Sequence, residues 1–432
     1  MLEGQPCLIS RALPSSCEQE SKWAYMQYHL LEMTNKSPLE EVPTGESDEI
    51  HHDQSMTKKP KLLNSPDAAG MEELADESDR QRGDGEQYHS SSLLQALGRD
   101  ISINCLLRCS RADYGSLASL NRGFRSLIRS GELYRLRRQS GIIEHWVYFS
   151  CNVLEWEAFD PHHRRWVKLP RMPPPNECFL WSDKESLAVG TELLVFGKEV
   201  NSHIVLRYSI LTNTWSHGVD MNNPRCLFAS ASLGGIAIIA GGCNAQGEIF
   251  KSAELYDSDT RRWIALPSMH TPRKMCSGVF MDRKFYVFGG MSPDGMLTCG
   301  EEYDLETKKW RVIPNMFPSQ GRATGAPPLV AVVNNELFAA DYAEKEVRKY
   351  DKLNNRWITL GSLPERSVSV NGWGLAFRAC GERLIVIGGQ RTVNGGTIEI
   401  NSWIPGEGLP EWELIARKSS GGFVYNCAVM GC

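Results

Sequence analysis

The chain has 432 residues, 41% hydrophobic and 23% charged, an ordinary globular composition that excludes wholesale disorder. Its 38 glycines and 12 tryptophans favour many short strands and tight turns over a helical bundle. The net charge of −5 argues against a nucleic-acid coat, and it is unevenly spread: residues 1–90 carry 8 basic and 18 acidic side chains, residues 91–145 carry 9 and 4, and residues 146–432 carry 30 and 30.

Met1-Leu2-Glu3-Gly4 shows no basic stretch leading into an apolar one, so nothing reads as a secretory signal. No apolar run approaches the about 18 residues of a membrane span. The 13 cysteines, scattered from Cys7 to Cys432 without a Cys-x-x-Cys pair, suit buried thiols in a reducing compartment, nucleus or cytoplasm. Residues 1–90 read as mostly disordered and acidic, because Thr34 to Ser92 is nearly empty of aromatics and rich in Ser, Asp, Glu, Lys and Pro. Lys58, Lys59 and Lys61 have the form of a short nuclear import signal; the alternative is a chance basic cluster. One island, residues 21–33, places Trp23, Met26, Leu30 and Met33 on one stripe of a short helix, which would dock on the body of the protein or on a partner.

Residues 91–140 change periodicity. Asp100 is the expected N-cap of a first helix, with Ile101, Cys105 and Cys109 at intervals of four and Ile103, Leu106 and Leu107 widening the stripe. A second helix is expected from Asp113 through Tyr114, Leu117, Leu120, Phe124 and Leu127 to Gly131, and a third from Glu132 to Arg138 with Leu133 and Leu136 inward. Three short helices make a docking device more readily than a catalytic one. This stretch resembles an F-box, in its leading Leu97 and Asp100, its Cys105-Leu106-Leu107 helix ending, its Arg125-Ser126-Leu127-Ile128 run and the basic helix that follows. Gly98 stands where that family usually has proline, and Phe124 where tryptophan is common. The resemblance implies binding of a Skp-family adaptor, and through it a cullin ligase, by Leu97, Asp100, Ile101, Leu106 and Leu107. The alternative is a helical linker buttressing the next domain.

Beyond residue 145 a repeat sets the fold. Trp166, Trp215, Trp263, Trp310, Trp357 and Trp412 are 49, 48, 47, 47 and 55 residues apart, the period of a propeller blade. An aromatic stands seven residues before each of the first five, namely Phe159, Tyr208, Tyr256, Tyr303 and Tyr350, followed by Asp in four cases. Upstream apolar strands close on glycine pairs at 241/242, 289/290 and 388/389, which relieve crowding where blades approach. Residues 146–432 thus resemble a kelch propeller of six blades. The expected architecture is an all-β six-bladed kelch propeller preceded by a small all-α F-box-like module and a disordered N-terminal region. The first unit supplies three strands and lacks the innermost; residues 422–429 are expected to complete it and close the ring.

Nothing points to catalysis. Kelch-type copper oxidases need converging Tyr and His ligands, whereas His162, His163, His203, His217 and His270 fall mostly in expected outer turns; no phosphate loop or nucleophile elbow is present. No enzymatic activity, cofactor or metal is expected. Connections entering the innermost strands should open on one face, and arginines recur there: Arg225, Arg273, Arg322 and Arg366 follow the blade tryptophans by 10, 10, 12 and 9 residues. Such a ring would hold an acidic or phosphorylated segment of a protein target; the alternative for each arginine is bracing its own turn through backbone carbonyls. The loops Cys243 to Lys251, Met291 to Cys299 and Gln390 to Gly396 are Gly-rich and polar, as recognition loops on a rigid scaffold tend to be. Module plus propeller resembles the plant F-box/kelch-repeat proteins over about residues 90–432. The resemblance implies the substrate-recognition subunit of an SCF-type (Skp/cullin/F-box) ubiquitin ligase. A non-degradative kelch scaffold and a kelch enzyme are the alternatives.

Overall fold

The computed structural model describes Leu93 and residues 98–152, 154–173, 185–199, 202–317, 325–365, 369, 371–389, 391–392, 395–420, 424 and 426–432. Lys58, Lys59, Lys61, Leu97, Arg322, Arg366 and the island at 21–33 lie outside these residues.

Six antiparallel sheets, each of four principal strands, form a propeller. From inner to outer strand, blade 2 comprises Glu185–Val189, Glu192–Lys198, His203–Ser209 and Thr214–His217; blade 3 comprises Ala229–Leu233, Ile236–Ala240, Ala253–Asp257 and Arg262–Leu266. Blade 4 comprises Ser277–Met281, Lys284–Phe288, Gly300–Asp304 and Lys309–Ile313, and blade 5 Leu329–Val333, Glu336–Asp341, Glu346–Asp351 and Arg356–Ser362. Blade 6 comprises Ala376–Cys380, Arg383–Gly388, Gly395–Trp403 and Glu413–Ser420. Blade 1 draws on both parts of the chain: Asn426–Gly431 is its inner strand, followed by His145–Asn152, Glu155–Asp160 and Arg165–Lys168. Val429 lies opposite Val147, and the inner strand of blade 6 touches that of blade 1, so the ring has no open edge. Of the expected closing segment 422–429, residues 422, 423 and 425 lie outside the described residues, and the described strand is Asn426–Gly431.

Each second strand is covered on both faces by its neighbours, so it reads as an unbroken apolar run. Leu193, Leu194, Val195 and Phe196 are all buried, as are Phe285, Tyr286, Val287 and Phe288. The blade tryptophans do two jobs. Each stacks on its own blade's aromatic, with ring centroids 4.9 Å apart for Tyr256 and Trp263 and 5.0 Å for Tyr303 and Trp310. Each also reaches the preceding blade: the indole N–H of Trp215, Trp263, Trp310, Trp357 and Trp412 donates to the carbonyl of Pro170, Val219, Pro267, Met316 and Ser362, respectively, at 2.7 to 2.9 Å. In blade 6 Trp403 takes the tyrosine's place against Trp412 at 5.7 Å.

The Asp after the aromatic shapes the outer turn. Asp160, Asp257, Asp304 and Asp351 each accept backbone N–H bonds from residues two and three further on. Donation from Thr307 and Glu306 holds the Asp304 carboxyl below the usual carboxylate range.

Among the described residues, four α-helices lie ahead of the propeller: α1 (Arg99–Leu107), α2 (Tyr114–Leu120), α3 (Arg122–Arg129) and α4 (Glu132–Gln139). Two expectations are corrected. Helix α1 is capped at Gly98, so Asp100 sits inside its first turn. The single second helix is two, because Asn121 adopts an extended conformation and its side chain accepts from the Phe124 N–H at 2.8 Å, capping α3. Gly131, at φ 77°, turns the chain into α4.

Candidate functional site

The helical module is built into the propeller. Ile103, Leu106, Leu107, Tyr114, Phe124, Leu127, Ile128, Leu133 and Tyr134 form one continuous apolar cluster with blade 1 (Trp146, Tyr148, Trp156, Met430) and blade 2 (Leu193, Val195, Tyr208). Two buried arginines clamp the seam. Arg111 donates to Tyr148 Oη at 2.7 Å, to the Glu144 carbonyl at 3.0 Å and to Cys432 Sγ at 3.1 Å, with its guanidinium 4.4 Å from the centre of the Trp146 ring. Arg137 donates to the carbonyls of Leu107 (2.9 Å) and Cys109 (2.7 Å), to Tyr114 Oη (3.1 Å) and to Glu144 Oε1 (2.6 Å). Glu144 and Cys432 exchange backbone hydrogen bonds, so the strand that closes the ring also holds the module. Burial pushes the Tyr148 phenol up to about 12, against the pull of Arg111, which keeps it a neutral acceptor.

This packing divides the expected adaptor residues. Leu106 and Leu107 are 4% and 6% exposed and belong to the shared core; they are not offered to a partner, which corrects the sequence reading. Asp100 and Ile101 do face outward, with Asn104, Cys105 and Arg108 on the same side of α1. Ile101 is 55% exposed, an apolar side chain left in water by a helix whose other face is buried. Arg99 ties that helix to α4 through Glu132 at 3.0 Å.

On the propeller, connections entering the inner strands do meet those leaving the glycine pairs: Cys226 pairs with Cys243, and Lys274 with Met291. The glycines are required there. Gly241 and Gly242 have φ of 71° and 86°, and a Cβ on Gly241 would lie 2.3 Å from the carbonyl of Arg273 in the next blade's connection. Gly389 differs, with an ordinary φ and the Thr397 carbonyl 1.6 Å from where its Cβ would be.

Arg225 and Arg273 sit at this face but do not open onto it, a second correction. Both are fully buried, and each is paired with a buried carboxylate of its own blade: Arg225 with Glu254 at 2.8 Å and Arg273 with Glu301 at 3.0 Å. Arg225 also donates to the carbonyls of Asn223, Gly241 and Ser252, and Arg273 donates through Nη1 to those of Gly289 and Cys299, while its buried Nε has no hydrogen-bond partner among the described residues. Glu254 also accepts from the amides of Asn222 and Asn223, and Glu301 from those of His270 and Thr271. The arginines therefore brace the connections. The missed signal was the carboxylate two residues before Tyr256 and Tyr303, in the same blades that carry Pro-Arg. What the face offers is loop: Cys243–Lys251, turned by Asn244 accepting from the amides of Gln246 and Glu248, and the Met291–Met296 hairpin with Met296 at 43% exposure.

Of the histidines, His162 and His163 are on an outer turn, His217 ends the outer strand of blade 2, His270 lies in the connection entering blade 4, and His203 is buried at the start of a blade 2 strand. Among the described residues no three His, Cys, Asp or Glu side chains are grouped to hold a metal ion.

The fold defines the class: a kelch-type propeller carrying a fused helical module. The kelch motif family model matches residues 224–270 and 272–317, blades 3 and 4. The chain is 62% identical over 377 residues to the F-box/kelch-repeat protein SKIP11 of Arabidopsis thaliana, covering 84% of this chain and 80% of that one. Two further F-box/kelch-repeat proteins of the same plant are 52% and 51% identical, each alignment spanning 100% of both chains. The chain belongs to the F-box/kelch-repeat protein family.

Proposed function

We propose that this protein is the substrate-recognition subunit of an SCF-type (Skp/cullin/F-box) E3 ubiquitin ligase, its helical module binding a Skp-family adaptor and its propeller binding the target protein. Family membership and the outward Asp100, Ile101, Asn104, Cys105 and Arg108 face of α1 support the adaptor half. The observation that carries the reading is the core shared between module and blades 1 and 2, clamped by Arg111 and Arg137. A receptor of this kind transfers no ubiquitin and works by proximity. Holding a target near a carrier raises effective concentration only when the connecting geometry is short and stiff. A fused module meets that condition better than a tethered one.

With Arg225 and Arg273 spent inside their blades, two of the four arginines expected to hold an acidic or phosphorylated target are committed to bracing. Target contact falls instead to the polar loops Cys243–Lys251 and Met291–Cys299. Capture of a Skp-family adaptor by purified protein tests the adaptor half. Ile101→Asp, at an exposed position, should lower capture by about tenfold or more with an unchanged melting temperature. Equal capture by the variant, or none by the wild type, would refute it. Nuclear import through Lys58, Lys59 and Lys61 belongs to the same proposal, and a fluorescent fusion that stays nuclear with all three changed to Ala would end it.

A further inference from the structure

Two cysteines meet where the entering connection of blade 3 touches the segment after its glycine pair. Cys226 and Cys243 face one another in an antiparallel bridge and exchange both backbone hydrogen bonds, at 3.0 and 2.9 Å. Their sulfurs are 3.9 Å apart. A hydrogen-bonded antiparallel pair sets its Cα atoms about 5.5 Å apart, inside the range a disulfide accepts. The approach depends on Gly242, since a Cβ there would lie 2.5 Å from the Cys226 carbonyl. A disulfide would shorten this sulfur–sulfur distance to about 2.0 Å. The two thiols also differ in access: Cys226 is partly exposed and Cys243 is buried, against Leu227 and Met275.

We propose that Cys226 and Cys243 are a reversible thiol oxidation site, forming an intramolecular disulfide when the protein meets a two-electron oxidant of the peroxide class. The Cys226 thiolate attacks one peroxide oxygen, the O–O bond breaks, and a sulfenic acid and one water result. The Cys243 sulfur then displaces the hydroxyl as a second water and forms the S–S bond. Two thiols and one hydrogen peroxide thus become one disulfide and two waters, with two electrons passing from sulfur to oxygen. A dithiol reductant reverses the step by exchange at the accessible sulfur.

The position gives the bond a consequence. It ties the connection carrying Arg225 to the first residue of the Cys243–Lys251 loop. That loop is already anchored at its far end, where Phe250 donates to the Gly242 carbonyl and accepts from the Arg273 N–H. Oxidation would therefore fix a loop of the candidate target face between blades 3 and 4. Cys276, Cys380 and Cys427 are buried, and burial pushes them up to about 11, 12 and 11.

The test uses full-length wild-type protein, reduced and freed of reductant, then treated with hydrogen peroxide, alkylated and digested without reduction. The expected result is a cross-linked peptide pair joining Cys226 to Cys243, lighter by two hydrogens and resolved by dithiothreitol. Cys226 recovered as sulfinic acid with Cys243 still alkylated, or both recovered as free thiols, would overturn the proposal. In Cys226→Ser the pair must vanish while Cys243 remains alkylatable after denaturation; Cys243 cross-linked to a different cysteine would likewise count against it. Mapping on the wild type makes the answer independent of how well the variant folds, and neither outcome bears on adaptor binding.

Discussion

Buried arginines do comparable work in two regions of this molecule, and the regions differ in how the work is organised. In blades 3 and 4, Arg225 and Arg273 each pair with a carboxylate of the same blade, in a pattern repeated at one-blade spacing. At the seam between module and propeller, Arg111 and Arg137 bind carbonyls, phenols and the one carboxylate of Glu144, and nothing there repeats. Blade stability is spread over similar units, whereas the module's attachment rests on one cluster. Damage to a blade should be local and partial. Damage to the seam should release the whole module.

The largest effect should come from deleting residues 426–432, which removes the inner strand of blade 1 and the Cys432 contact together. A drop in melting temperature of more than about 10 °C is expected by calorimetry, since several kcal/mol are lost at about 2–4 °C each; an unshifted melt would break the closure argument. Next is Arg111→Met, which leaves the buried Tyr148 hydroxyl without its donor, takes one of two donors from the Glu144 carbonyl and removes the cation stacked on Trp146, and it should cost about 3–5 kcal/mol in urea unfolding. Arg225→Ala should cost a similar amount by leaving Glu254 buried and unpaired. A double-mutant cycle sharpens the comparison: changing Glu254 to Gln as well should recover part of the loss. If Arg225→Ala instead abolishes target capture without altering stability, the bracing role is wrong. Smallest is Trp310→Phe, which keeps a ring against Tyr303 and loses the bond to Pro267, at about 1 kcal/mol by the same unfolding assay.

The comparison also explains what the sequence made legible. Trp166 to Trp412 and their partner aromatics recur because every blade must fill the same wedge, so a single chain displays the fold six times. The turn aspartates were visible for the same reason. Arg225 and Arg273 were visible as a pattern, but their role depended on Glu254 and Glu301, 29 and 28 residues away in sequence and adjacent only across the sheet. Arg111, Arg137 and Glu144 have no period to betray them. Leu106 and Leu107 lie on α1, but which face of it meets the propeller is decided by Trp146, Tyr148 and Met430, whose positions no helical pattern encodes. The break at Asn121, whose side chain caps α3, is hidden in the sequence by the apolar spacing that runs across it.

The central claim is that the helical module and blade 1 are one cooperative unit. Native-state hydrogen exchange in rising denaturant measures this directly. The account predicts that amides of α3 and α4 and of the His145–Asn152 strand merge into one opening event with a common free energy, and that Arg111→Met lowers all of them together. Helical amides that open at a markedly lower free energy, unaffected by Arg111→Met, would show the module to be a separately folding appendage and would contradict the account.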